Sequence, residues 1–285
     1  MSTLEIQTAG LGKSYIAFQA FKYSVYILLS YNIFLFFQED FAASAQTFTN
    51  GITFYDIGEA FSATIDTAAW VVLILLFELE TFVLDDEKIV GTTKTLLHSI
   101  RSVCYALIVY SLYGYIVKLN LVLNTLPYSI DDACSLIDTA YTYIYTLDEY
   151  MPIEASNCAA LNNGDLLRIA DTQIISTVDR MQETQRLAWL SVFNSIDWLL
   201  IVAILEVDVY LQLKGRLEGR VRTVSKVIKT FLYSFLFIAA IYWGIKGDFL
   251  DFWDAFLWLV AFIFIEMNIF EWHAESKQEA EAAQS

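Results

Sequence analysis

Six stretches of the chain, near 15–37, 57–83, 97–122, 188–211, 227–245 and 249–271, are apolar over a length that can cross a bilayer. An α-helix advances about 1.5 Å per residue and needs about 20 apolar residues to traverse the hydrocarbon core. Runs of this kind leave little room for a soluble fold. The totals agree: 57% of the 285 residues are hydrophobic, 18% are charged and only two are proline, with a mean hydropathy of +0.50. A soluble chain of this length carries more charge and fewer apolar runs. The expected class is an all-α integral membrane protein with six transmembrane helices. The first run follows the polar segment MSTLEIQTAGLGKS, without the basic start and nearby small-residue cleavage site of a signal peptide, so it reads as a retained helix.

Lys and Arg set the expected orientation. Lys13 and Lys22 near the N-terminus, Lys88, Lys94 and Arg101 in one loop, Lys214 through Lys229 in another, and Lys277 in the tail all fall on one side. The positive-inside rule makes that side cytoplasmic and puts both termini there. The opposite loop, 38–60, has no basic residue. A net charge of −16 argues against nucleic acid as a partner. No Cys/His zinc spacing, Gly-rich phosphate loop or Ser-His-Asp set is present, so neither cofactor nor metal is expected and an enzyme is disfavoured. His98 and His273 read as interfacial side chains.

The even spans repeat one pattern. DTAAWVVLILLFELETF begins at Asp66, NSIDWLLIVAILEVDVY at Asn194 and DAFLWLVAFIFIEMNIF at Asp254. The shared form is [D/N]-x3-W-x7-E-x-[E/D/N]-x-[F/Y]. It aligns Asp66, Asn194 and Asp254, then Trp70, Trp198 and Trp258, then Glu78, Glu206 and Glu266, then Glu80, Asp208 and Asn268. The odd spans share G-x9-[K/R]-x3-Y, starting at Gly12, Gly91 and Gly219 and carrying Lys22, Arg101 and Lys229 with Tyr26, Tyr105 and Tyr233. Such agreement among rare residue types implies triplication of a two-helix unit. Each unit returns the chain to its starting side, so the copies are expected around a pseudo-threefold axis along the membrane normal. The expected divisions are 1–90, 91–218 with an outer insert at 125–185, 219–272, and an acidic tail at 273–285.

Helical geometry puts Asp66 and Trp70 on one face, with Glu80 near them and Glu78 turned by about 120°. Glu78 with Lys22, Glu206 with Arg101 and Glu266 with Lys229 are expected at similar depth, where each pair neutralises itself. An unpaired charge in the bilayer costs roughly 2.5–3.5 kcal/mol on insertion scales. The alternative is that Glu78, Glu206 and Glu266, with Glu80, Asp208 and Asn268, converge as a ring that binds a monovalent cation or proton. Asp66, Asn194 and Asp254 form an upper polar ring about 18 Å away along the helix.

The insert contains Cys134 and Cys158, which suggest a disulfide in an oxidising compartment. Absence of an N-x-S/T sequon favours a bacterial inner membrane over a secretory-pathway one. DLLRIADTQIISTVDRMQETQRLAWL, free of Pro and Gly from Asp165, reads as a helix running into the fourth span, about 75 Å in all. Leu167, Ile174, Val178 and Met181 form its apolar stripe, facing AYTYIYTLDEY (140–150) in a cap that suits a protein partner. Two functions fit: a cation- or proton-conducting channel or transporter in the lipid bilayer, or a structural or regulatory subunit of a larger membrane complex. Helices uninterrupted by proline weigh against an alternating-access transporter.

Overall fold

The computed structural model describes residues 3–49, 51–84, 90–214, 216, 218–246 and 248–262. Among the described residues five helices are long and apolar enough to cross a membrane, with spans at Ile16–Thr47, Ser62–Thr81, Gly91–Leu123, Val178–Asp208 and Gly219–Lys246. They belong to α1 (Thr3–Thr47), α3 (Ser62–Glu78), α4 (Gly91–Leu123), α6 (Val178–Leu213) and α7 (Gly219–Lys246), with a short α2 (Ile57–Ala60) leading into α3. A further helix, α8, covers 249–262 at the start of the sixth expected span. The rest of that span, including Glu266 and Asn268, lies outside the described residues, as do His273 and the tail. Many large apolar side chains face outward, among them Phe21, Ile27, Phe34, Phe231, Phe237 and Ile245. In water such a surface would cost far more than scattered exposed residues do; in hydrocarbon it costs nothing.

The helix core gathers Val25, Leu29, Val71, Ile74, Ile108, Ile201, Leu236 and Ala261 around the tryptophans at 70, 198 and 258. Small residues admit close backbones here, as membrane helices require. A Cβ added to Gly114 of α4 would stand 1.8 Å from the Gly58 carbonyl oxygen, and one added to Gly58 would stand 2.7 Å from the Tyr110 ring. The two glycines therefore seat α2 directly on α4.

The insert is not helical where the sequence reading made it so, and this ends the all-α description. It forms a five-stranded sheet in the order β1-β4-β5-β2-β3, from β1 (Thr125–Tyr128), β2 (Thr142–Ile144), β3 (Tyr150–Pro152), β4 (Leu166–Ile169) and β5 (Ile174–Thr177). Only β2 and β5 pair in parallel. The segment from Asp165 makes the β4–β5 hairpin, and α6 begins at Val178, so the helix is about 54 Å long, not about 75 Å. The reason is a period of two. Leu167, Ile169 and Ile174 face the core shared with the helices, whereas Leu166 and Ile175 face a separate core within the cap. Asp171 turns the hairpin at φ 58°, a left-handed conformation that Asp tolerates without glycine. Met181 of the expected stripe is buried on α6 in the shared core.

Cys134 and Cys158 are bonded, with Cα atoms 4.9 Å apart, and tie a 3₁₀ turn (Ala133–Leu136) to α5 (Cys158–Leu161). Asp132 caps that turn, accepting from the Cys134 N–H and from Asn162 Nδ2 at 2.8 Å. The Asn162 hydrogen bond, then the Cys134 one, holds its carboxyl below the ordinary range. Its contribution to the cap is therefore complete above the ordinary carboxylate pKa and lost as pH falls through the depressed one.

Gly114→Ala is expected to destabilise the helix core by about 1–3 kcal/mol, because neither backbone can yield to the new methyl. Thermal unfolding in detergent checks this: a Tm within a degree of the parent's would show that α2 and α4 are not in contact through these glycines.

Candidate functional site

Polar side chains in the helices fall into two layers. In the layer nearer the insert, Asp66 of α3, Asn194 of α6 and Asp254 of α8 line one small cavity with Trp70, Trp198 and Trp258. The three positions lie on three different helices, and each tryptophan follows its polar residue by one turn. Their ring centroids are 6.1, 6.3 and 6.4 Å apart, so the indoles form a mutual cluster. These are favourable edge and tilted aromatic geometries. All three indoles are buried, and they floor the cavity. An adjoining cavity of about 50 Å³ shares Asp66, Asn194, Asp254, Trp198 and Trp258 with it and reaches Asp251 of α8 and Asp148 of the insert. That is room for a few water molecules. Among the described residues no Lys, Arg or His lines it.

Two residues that sequence reasoning overlooked fix the acids of this layer. Asn32 Nδ2 on α1 donates to Asp254 Oδ1 at 2.7 Å, and Ser111 Oγ on α4 donates to Asp66 Oδ1 at 2.8 Å. Asn32 stands 20 residues after Gly12, and Ser111 stands 20 after Gly91. The position 20 after Gly219 is Ala239, a buried residue without a polar group. Where the even helix has an acid the partner position offers a donor, and where it has Asn194 the partner position is apolar. Extending the odd-helix alignment by ten residues beyond Lys22, Arg101 and Lys229 would have exposed the pattern.

The layer on the other side is made of ion pairs. Lys22 Nζ meets Glu78 Oε1 at 2.5 Å with both side chains buried, and the hydroxyls of Tyr23 and Tyr26 also donate to Glu78. Arg101 departs from the expected pairing: it bonds Glu80 at 2.6 Å, not Glu206. Glu206 is exposed and accepts from the Tyr105 hydroxyl at 3.3 Å. Lys229 likewise meets Asp208 at 2.9 Å, and Ser225 Oγ donates to the same carboxylate; its expected partner Glu266 lies outside the described residues. The physical reason is the turn of the helix. Glu80 and Asp208 lie two residues beyond Glu78 and Glu206, about 200° around the axis, and so face the next helix in the chain. The π-helical turn Leu79–Val83 carries Glu80 and opens the helix there. The described carboxylates at 78, 80 and 208 are thus engaged by basic and hydroxyl neighbours.

A third polar site joins insert to bundle and was also overlooked. Lys118 of α4 is buried, with Asp148 of the β2–β3 turn at 2.9 Å and Asp40 of α1 at 3.7 Å. Asp40 Oδ2 in turn accepts from the Thr64 N–H and hydroxyl at the start of α3. One ammonium therefore links three segments. A lone lysine late in an apolar run reads as an interfacial anchor, because its acidic partners are distant in sequence.

Removing one member of a buried ion pair leaves the other uncompensated, at about 3–5 kcal/mol. Lys22→Met is expected to destabilise the helices by that order, and adding Glu78→Leu should restore most of the loss. A double-mutant cycle on thermal unfolding measures the coupling; additive single effects would exclude the pair. Lys118→Met should instead loosen the cap, seen as faster amide hydrogen exchange over 142–152 with the rest of α4 protected as before. No protein-family model, curated protein or solved structure shows detectable similarity to the chain.

Proposed function

We propose that the chain is a cation- or proton-conducting membrane protein whose binding site is the cavity of Asp66, Asn194 and Asp254, closed beneath by the three tryptophans. One observation carries this reading: polar positions from three helices meet at one cavity that is lined, among the described residues, by acids and by no base, and that extends to Asp148 of the insert. Carboxylates beside confined water attract small cations and exclude anions. A cavity of about 50 Å³ suits a proton-carrying water cluster or one dehydrated monovalent ion, not an organic substrate.

The architecture proposed with it is six helices in three two-helix units around a pseudo-threefold axis, with divisions near 90, 218 and 272. The Trp70–Trp198–Trp258 cluster supports that axis. With both termini on the cytoplasmic side of a bacterial inner membrane, the acidic insert faces outward and concentrates cations at the cavity mouth. The polar layer nearer the cytoplasm is then structural, because its carboxylates are engaged by Lys22, Arg101 and Lys229. Those same interhelical pairs favour the second reading, a non-conducting subunit of a larger assembly with the cap as docking face.

Flux into proteoliposomes separates the two. The parent should carry protons or monovalent cations under an imposed gradient, and Asp66→Asn with Asp254→Asn should abolish flux while Asn32 and Ser111 still hydrogen-bond the new amides. Trp258→Ala should raise the leak by opening the floor. A parent silent to pH gradients, cation gradients and voltage of either sign would sink the conducting reading and leave the subunit.

A further inference from the structure

A second cavity, of about 790 Å³, lies on the insert side of the bundle between α1, α8 and the β2–β3 turn. Its volume is in the range of sites for molecules far larger than water or a metal ion. Leu28, Tyr31, Leu35, Phe249, Leu250 and Trp253 supply most of the apolar wall. Three of these are well exposed, with Leu28 at 37%, Tyr31 at 55% and Phe249 at 69%, so the groove opens sideways at the apolar belt. At its insert end stand Glu39, Asp148, Glu149 and Asp248. Among the described residues no Lys, Arg or His lines it.

The acids at that end are unequal. Lys118 neutralises Asp148, and Asp248 accepts from the Asp251 N–H as the cap of α8. Glu149 is exposed and takes the Thr146 hydroxyl. Glu39 is half-buried on α1 and has neither a hydrogen bond nor an ion pair among the described residues. Asp40, Asp66, Glu78 and Asp254 of the helices each accept a hydrogen bond; Glu39 is left facing a groove with hydrocarbon walls. A group that fits both ends has an apolar chain and a positively charged head.

We propose that this groove binds a lipid whose headgroup carries an ammonium, its acyl chain along the Leu28–Leu35 face of α1 and Phe249–Trp253 of α8, its ammonium at Glu39 and Asp248. Tyr31 and Trp253 add aromatic faces that favour a cation. An anionic headgroup finds no basic partner among the described lining residues and meets four carboxylates. The site is separate from the cavity floored by the tryptophans, although Asp148 borders both.

Native mass spectrometry of the full chain, taken from nanodiscs with equal phosphatidylethanolamine and phosphatidylglycerol, tests this. The parent should retain phosphatidylethanolamine at least roughly fivefold over phosphatidylglycerol, a difference of about 1 kcal/mol. Glu39→Gln should remove that preference while thermal unfolding stays near the parent's, and Trp253→Ala should weaken retention of both lipids. A comparison that needs no variant uses the parent alone: hexadecylamine should displace the retained lipid and palmitate should not. Equal retention of the two lipids, a preference unchanged in Glu39→Gln, or equal displacement by amine and acid would each overturn the assignment.

Discussion

Hydrocarbon solvates no charge, and most of this structure follows from how the chain meets that constraint. Lys22, Arg101, Lys118 and Lys229 each end on a carboxylate from another segment. Each pair makes up for lost hydration only in one relative position of its two helices, because the attraction falls steeply with distance while the desolvation cost does not. The pairs therefore select among arrangements that apolar packing alone would leave nearly equal in free energy. Membrane helices have no hydrophobic drive toward one another, so this selectivity matters more here than it would in water.

The same constraint divides the molecule by depth. On one side, the carboxylates at 78, 80 and 208 are engaged by basic and hydroxyl groups. Nearer the insert, Asp66 and Asp254 receive neutral donors from Ser111 and Asn32 and also line the small cavity. A neutral donor orients a carboxylate without cancelling its charge. That difference separates the layer proposed to bind a cation from the layer whose ion pairs join the helices. Between the two layers lie the three clustered indoles, which the proposed conducting function would require to part.

The cap is built as a partner to the bundle. One face of its sheet shares a core with α4, α6 and α7 through Ile144, Ile169, Ile174 and Trp243, and the other closes over the disulfide. Lys118 then joins cap, α1 and α4 at one buried point. A change at the acidic end of the groove or at Asp148 is thereby mechanically connected to the start of α3, where Thr64 holds Asp40 two residues before Asp66.

The membrane class and the long helices follow from composition, because twenty consecutive apolar residues have few other uses. The aligned Asp/Asn, Trp and Glu positions were legible as a pattern, because the same spacing of rare residue types recurs along the chain. The cap was not legible as a sheet. Leu166 to Thr177 lacks the glycine or proline that usually punctuates a hairpin, and Asp171 makes the turn by a conformation that leaves no mark in hydropathy. Nor was the choice of Glu80 over Glu206 by Arg101, which depends on a rotation of about 200° and on a π-turn that spacing does not reveal. What the amino acids determined alone is which residues must leave water and which must find a counter-charge. Which counter-charge each one found, and which carboxylate was left facing open space, was decided only by tertiary packing, because those distances are set by helices brought together from opposite ends of the chain.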